Sequence, residues 1–374
     1  MNERRIWLAR PQAGDEELAE VRAVLESGIL TQGPKVAELE RTVGDLVGVP
    51  HAFATTSATT ALHLSLVAAG IGPGDEVLVP DFTFPATANV VVQQGATPVL
   101  VDVDLDTFAI DPEDLEARIT PRAKAVMPVH PFGLPADMPA VMAIANQHGL
   151  TVIEDAACSL GATIGGRQTG GIGLAGCFSF HPRKSITTGE GGMITTSDDD
   201  LAGRIAILRS HGGVREGGRF RFEAAGFNYR MSDILAAVGV AQLRRLADFL
   251  ATRRRVAGWY DARLAGWASL RPPITPDGRT HTYQSYVVLL EETVDRDAII
   301  DALAADGIET TIGTYALHAE PFFAGTYGHR PGDRPRSWRA YRTSIALPLH
   351  GGMTEADVDL VVESLRAAIP SGRF

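Results

Sequence analysis

Two stretches place side chains capable of chemistry where strands should end. In "TVIEDAACSL" an apolar run leads into the adjacent carboxylates Glu154 and Asp155, and in "FSFHPRKSITTGEGG" Lys184 lies between an apolar run and a glycine-rich loop. A carboxylate at a strand end is most simply solvated; a buried one needs a cation beside it, because an unpaired charge is too costly away from water. A protonated heteroaromatic nitrogen would serve. Asp155 beside such a nitrogen would raise its pKa and hold it positive, which makes the ring an electron sink. Most lysines are surface solubilisers. One partly buried between a strand and "TTGEGG" would give up its proton more readily and present a nucleophilic amine, the group that forms Schiff bases. Lys184 follows Asp155 after one further strand candidate, so the two can converge at neighbouring strand ends.

A third stretch, "TTSATTALHL", puts hydroxyl residues at the start of a helix, where free backbone N–H groups can seat a phosphate. Taken alone, such a cluster is more often an ordinary helix cap. A phosphate seat, a strand-end aspartate and a buried lysine on one sheet are nonetheless the parts needed to hold pyridoxal 5′-phosphate, a phosphorylated pyridine aldehyde.

The elements that must position these groups follow a regular rhythm. "HAFATT", "EVLVP", "TPVLVDVD", "KAVMPVH", "TVIEDA", "GCFSFH" and "GGMITT" read as strands, with helices such as Thr59 to Ala69, opened by Ser57, and Met138 to His148, capped by Asp137, between them. That is the pattern of an α/β chain with a mostly parallel sheet sandwiched by helices, which binds ligands at the carboxyl ends of its strands. A long helical stretch from "SDILAAVGVAQL" to "YDARL" follows, and "RPPITPDGRTH" reads as a junction. Beyond it "YQSYVVLL", "IETTIG" and "SIALPLH" alternate with helical runs in a smaller α/β unit. The expected division is a large domain over residues 1–250 and a small C-terminal domain over 251–374.

The ordered blocks "SGILTQGPKVAELE", "SATTALHLSLVAAGIGPGDEVLVPDFTFPATAN", "VIEDAACSLGA", "GCFSFHPRKSITTGEGGMITT", "GFNYRMSDILAAVGVAQL" and "ALPLH" resemble the DegT/StrS-type sugar aminotransferases, fold-type I pyridoxal phosphate enzymes with a seven-stranded sheet in the large domain. The resemblance implies that Lys184 forms the Schiff base and then moves a proton between substrate and cofactor carbons, and that Asp155 pairs with the pyridine nitrogen. It also implies that Ala58, Thr59 and Ser179 hold the phosphate, that Phe84 stacks on the ring, and that Asn228 reaches the phosphate of the neighbouring subunit. A homodimer with shared active sites follows from that last role. His181 and His318 are candidate substrate contacts. One position departs from the family: three residues after Asp155, where His or Gln usually bonds the phenolic oxygen of the cofactor, stands Cys158, a weaker donor.

The implied reaction moves an amino group from an L-amino acid, with glutamate expected, to a keto group on a nucleotide-linked sugar. A keto-inositol is the alternative acceptor. Sugar dehydratases of the same build carry histidine in place of the lysine, and a silent regulatory relative should lack the lysine or the aspartate; both Lys184 and Asp155 are present. The alternating carboxylates Asp102, Asp104 and Asp106, with His130, suggest a metal only weakly, and no metal is expected. The Gly-rich "GATIGGRQTGGIGLAG" lacks the strand and helix of a dinucleotide site. Arg253, Arg254 and Arg255 read as a solvated helix face, of which one could meet a nucleotide phosphate.

Composition bounds the remaining choices. A net charge of −11 over 374 residues disfavours a nucleic-acid partner, and the two cysteines, Cys158 and Cys177, are too few for a disulfide framework and fit a reducing compartment. The opening "MNERRIWLARPQAG" has no signal-peptide core and no run is long enough to span a membrane, so a cytoplasmic location is expected.

Overall fold

The computed structural model describes residues 5–369. Its main sheet has seven strands: β1 (His51–Thr55), β2 (Glu76–Pro80), β3 (Thr97–Val101), β4 (Ala123–Val126), β5 (Thr151–Asp155), β6 (Ala175–Ser179) and β7 (Gly192–Thr196). All seven coincide with the strand candidates of the sequence. Their order across the sheet is β1, β7, β6, β5, β4, β2, β3. β7 runs antiparallel to both of its neighbours, while the β6, β5, β4, β2, β3 pairs are parallel.

Apolar side chains cover both faces of the sheet, as the near-continuous apolar character of its strands requires. On one face Leu64, Val79, Val90, Ile153 and Cys177 form a core with the helices Ala58–Ala68 and Ala86–Gln93. On the other, Leu78, Val126, Val141 and Val152 pack with the helix Met138–His148. Successive residues of β5 therefore point to opposite layers: Ile153 and Asp155 to the first, Val152 and Glu154 to the second. The adjacent carboxylates read from the sequence do different jobs for this reason.

A second sheet joins Leu270–Arg271, Tyr286–Leu290, Ser344–Leu347 and Thr311–Ile312, and its core includes Tyr260, Tyr286, Leu303, Ile345 and Val361. Ile6 belongs to this core, and Leu8 packs with Val287 and Ala346 nearby. The helix Leu246–Leu264 serves both regions, with Leu246 and Leu250 in a core with Phe178 and Phe180, and Val256, Tyr260 and Leu264 in the C-terminal one. The Pro/Gly segment read as a junction runs back across the main sheet's unit. Thr280 N donates to Thr163 O at 2.8 Å, and Arg279 pairs with Asp137 at 3.0 Å.

Hairpins at Thr163–Ile164 with Arg167–Gln168 and at Gly213–Glu216 with Arg219–Phe222 were not read from the sequence. The first turns through Gly165 and Gly166, at φ of 56° and 79°, inside a stretch that the sequence shows only as glycine-rich.

Candidate active site

β5 and β6 are parallel neighbours, and the register Asp155 opposite Cys177 sets their carboxyl ends side by side. Asp155 ends β5. Its Oδ2 accepts from Thr87 Oγ1 at 2.8 Å and its Oδ1 from the Ala157 N–H at 3.2 Å. Thr83 Oγ1 lies 3.0 Å from Thr87 Oγ1, so a short hydroxyl chain orients the carboxylate. Burial raises the Asp155 pKa from its ordinary value, against the two hydrogen bonds and the charges of Lys184 and His130, which work to lower it.

Glu154, its neighbour, shifts the opposite way. Burial works to raise its pKa, but His130 Nε2 at 3.0 Å and the N–H groups of Gly173 and Gly170 outweigh it, and the net shift is downward. Glu154 is thus a fully partnered anchor for the loop Gly170–Gly173, and its solvated reading is corrected by the structure. Asp155 is the one of the two left without a cation in hydrogen-bonding contact among the described residues.

Lys184 reaches the same end of the sheet from the loop after β6, half-buried, with its N–H donating to His181 O. Its Nζ donates to Cys158 Sγ at 3.1 Å. The departure from the family pattern therefore stands in contact with the lysine itself. Replacing the thiol by Gln or His places a stronger hydrogen-bonding group beside that amine, so Cys158→Gln and Cys158→His are expected to stay folded and to change the absorbance maximum of the cofactor-loaded protein or its pH dependence. Spectra of both variants that titrate as wild type does would remove Cys158 from the cofactor's surroundings.

The helix Ala58–Ala68 begins beside β7. Ser57 caps it by accepting from Thr60 N at 3.1 Å, and Thr60 Oγ1 answers by accepting from Ser57 N at 3.0 Å. These two hydroxyls are committed to the cap, and the N–H groups of Ala58 and Thr59 are those at the helix mouth. The strand can approach so closely only because position 192 is glycine: a Cβ there would lie 2.4 Å from the Ser57 carbonyl carbon. Ser179, at the end of β6, is half-buried on the way to Lys184.

Phe84 is 65% exposed, an unusual placement for phenylalanine, and its carbonyl accepts from Thr87 N at 3.2 Å, so its ring stands one turn from the residue that holds Asp155.

Asn228 is exposed, and its Oδ1 accepts from Arg230 Nη2 at 3.0 Å; the next residue, Tyr229, gives its carbonyl to Thr56 N at 3.1 Å. His181 is partly exposed beside Lys184, with Nδ1 accepting from Arg183 N at 3.2 Å, and burial lowers its pKa.

The structure separates two residues from these roles. His318 is 0% exposed, with Nδ1 on Asp81 Oδ2 at 2.6 Å, so its ring offers no face to a substrate in this chain. Its sequence, within "YALHAE", carries no sign of burial. Arg253 is likewise no solvated residue: it is 6% exposed and its guanidinium points into the protein. Asp102 and His130 are also engaged by protein groups, Asp102 by Ser337 N and Oγ and His130 by Glu154, and no cluster among the described residues has the make-up of a metal site. No helix among the described residues is long and apolar enough to cross a membrane.

Residues 11–366 match the DegT/DnrJ/EryC1/StrS aminotransferase family. The chain belongs to this family. It is 45% identical over 367 residues to GDP-perosamine synthase of Caulobacter vibrioides, an alignment covering 96% of this chain and 97% of that protein. Among solved structures, the aminotransferase TlmJ from Streptoalloteichus hindustanus superposes with a TM-score of 0.93 at 35% identity, covering 98% of this chain and 99% of TlmJ. The PLP form of Spr1654 from Streptococcus pneumoniae does so with a TM-score of 0.93 at 29% identity over 98% of each chain. DesI, solved in the presence of its TDP-sugar product, gives 0.90 at 32% identity over 98% of this chain and 93% of DesI. The chain is accordingly a pyridoxal phosphate-dependent aminotransferase of fold-type I.

Proposed function

We propose that this aminotransferase moves an amino group from an L-amino acid, glutamate in the first instance, to a keto group on a nucleotide-linked sugar, working in the cytoplasm as a homodimer. The observation that carries the reading is the pairing of a buried aspartate, with no cation among the described residues in hydrogen-bonding contact, with a lysine amine one strand away. A carboxylate so placed fits a protonated pyridine nitrogen.

Bound pyridoxal phosphate supplies an aldehyde for condensation with amines and a ring that accepts electrons from the substrate carbon. Lys184 would hold the cofactor's aldehyde through its amine and would carry a proton from and to the substrate carbon. Asp155, oriented by Thr87 and the Ala157 N–H, keeps positive charge on the ring nitrogen. Ala58 and Thr59 hold the phosphate at the helix N-terminus, where the dipole favours an anion, and Ser179 adds a hydroxyl. Phe84 supplies an aromatic face for the ring. Cys158 would stand beside the phenolic oxygen, His181 would meet the substrate, and Asn228 would complete the phosphate site of the neighbouring chain.

Phe220 and Phe222, stacked at 6.3 Å and both more than half exposed on the hairpin, support a partner chain on that side. The nucleotide-linked acceptor is supported by the similarity to GDP-perosamine synthase and to DesI.

Borohydride reduction of the cofactor-loaded protein, followed by peptide mapping, is expected to fix the pyridoxyl label on Lys184. Amination of nucleotide-linked keto-sugars and of a keto-inositol, compared by product mass, decides the acceptor. A label on another lysine, or amination of the inositol alone, overturns the corresponding part.

A further inference from the structure

Among the described residues, the buried guanidinium of Arg253 has no carboxylate within hydrogen-bonding reach; its acceptors there are all main-chain carbonyls. Nη1 donates to Tyr283 O at 3.1 Å, Gln284 O at 3.2 Å and Leu349 O at 3.4 Å, and Nη2 donates to Lys184 O at 3.4 Å. Burial pushes its pKa down to about 10, which still leaves the group charged at neutral pH. A cation buried at that cost and committed to carbonyls acts by fixing backbone.

The segment it holds, residues 281–285, bonds the backbone of Cys158 and of Arg183, the residue before Lys184. Thr282 Oγ1 donates to Cys158 O at 3.1 Å and to Gly133 O at 3.3 Å, while Gln284 Nε2 donates to Arg183 O at 2.9 Å. The fit is close: a Cβ on Gly133 would come within 2.0 Å of Thr282 Oγ1. Tyr283 between them takes φ of 48°, a conformation that L residues other than glycine seldom adopt, with its ring stacked 4.0 Å from His281. One strap therefore touches the backbone of Cys158, of Arg183 and, through Arg253, of Lys184.

We propose that Arg253 and the strap His281–Ser285 are positioning elements that hold the Lys184 amine against Cys158 and so set its reach to the cofactor and the substrate carbon. The proposal rests on the assignment of Lys184 made above. Proton transfer and condensation both depend on where the amine stands, and a displacement near 1 Å can lower the rate of a step about a hundredfold.

The test compares wild type with Arg253→Lys, Arg253→Met, Gln284→Leu and Thr282→Val. Three quantities are read: the rate at which the visible band appears when apo-protein takes up pyridoxal phosphate, the half-reaction with whichever L-amino acid converts wild type fastest, and the melting temperature. Arg253→Met and Gln284→Leu are expected to slow band formation and the saturated half-reaction by about tenfold or more, with the half-saturating donor concentration little changed. Arg253→Lys, which keeps one donating cation, should fall between wild type and Arg253→Met.

If Arg253→Met does not fold, Gln284→Leu and Thr282→Val carry the test, since the first removes the strap's hold on Arg183 O and the second its hold on Cys158 O and Gly133 O, with the buried guanidinium left in place. Folded variants that load and react as wild type does, differing only in melting temperature, reduce the strap to a structural role and overturn the proposal. A borohydride label absent from Lys184 in wild type brings down the functional assignment instead, so the two failures are told apart.

Discussion

Asp155→Asn is expected to fold, to bind pyridoxal phosphate, and to turn over about a thousandfold more slowly than wild type or worse. Asparagine can still accept from Thr87 Oγ1 or the Ala157 N–H, so the local geometry survives, but the negative charge that keeps the ring nitrogen protonated is gone. A thousandfold corresponds to about 4 kcal/mol of transition-state stabilisation, the scale on which single preorganised electrostatic groups act.

The pKa direction adds a second, independent signature. Burial raises the folded-state pKa of Asp155 above its unfolded value. The folded apo-protein therefore binds the proton more tightly than the unfolded chain, and the stability so gained is present below the unfolded pKa and lost as pH rises through the folded one. Above that folded-state pKa the ionised carboxylate is thus a burden on the apo-protein that a cationic ring nitrogen relieves. Asp155→Asn should leave the apo-protein's melting temperature unchanged or higher, and should reduce the increase in melting temperature that pyridoxal phosphate produces. An aspartate needed only for folding gives the reverse, a lower apo melting temperature with an undiminished cofactor response. Near-normal turnover in Asp155→Asn would sink the electron-sink role.

The legible part of the site was the part written in short stretches of chain. Strand alternation located β5 and β6, and with them the ends at which Asp155 and Lys184 stand, because in a parallel sheet the pattern of each strand also fixes where its carboxyl end lies. The illegible part was made by residues distant in sequence. Thr87 holds Asp155 from a helix 68 positions earlier, Thr282 meets Cys158 from 124 positions later, and nothing in "ATANVVVQ" or "RTHTYQSY" announces such a contact.

Arg253 was misread for a related reason: three consecutive arginines must point around a helix in three directions, and only the fold decides which of them turns inward. His318 was misread because a histidine in an otherwise mixed stretch gives no sign that Asp81, far upstream, will take its ring. Cys158 lies between these cases. Its departure from the family pattern was visible, whereas its 3.1 Å contact with the lysine required the loop after β6 to fold back over it.

Lys184→Ala is expected to abolish turnover, and that loss makes possible a test of how the sites are assembled. If Asn228 serves the neighbouring chain, the smallest competent unit is a two-fold dimer. The rival is an in-chain role, and it has a physical basis: Tyr229, next to Asn228, gives its carbonyl to Thr56 N, close to the helix mouth formed by Ala58 and Thr59 of the same chain. The two arrangements differ when Lys184→Ala and Asn228→Ala homodimers, each impaired, are mixed and allowed to exchange subunits. With shared sites, one site of each mixed dimer combines the intact lysine of the Asn228→Ala chain with the intact asparagine of the Lys184→Ala chain, and the other site lacks both. Random exchange makes about half of the dimers mixed, each with one sound site of two, so activity should rise to about a quarter of the wild-type value. With an in-chain asparagine, every site lacks either its lysine or its asparagine whatever the pairing, and mixing adds nothing. Activity that stays at the sum of the separate mutants, with exchange demonstrated by mass-tagged subunits, would return Asn228 to its own chain and withdraw the shared site.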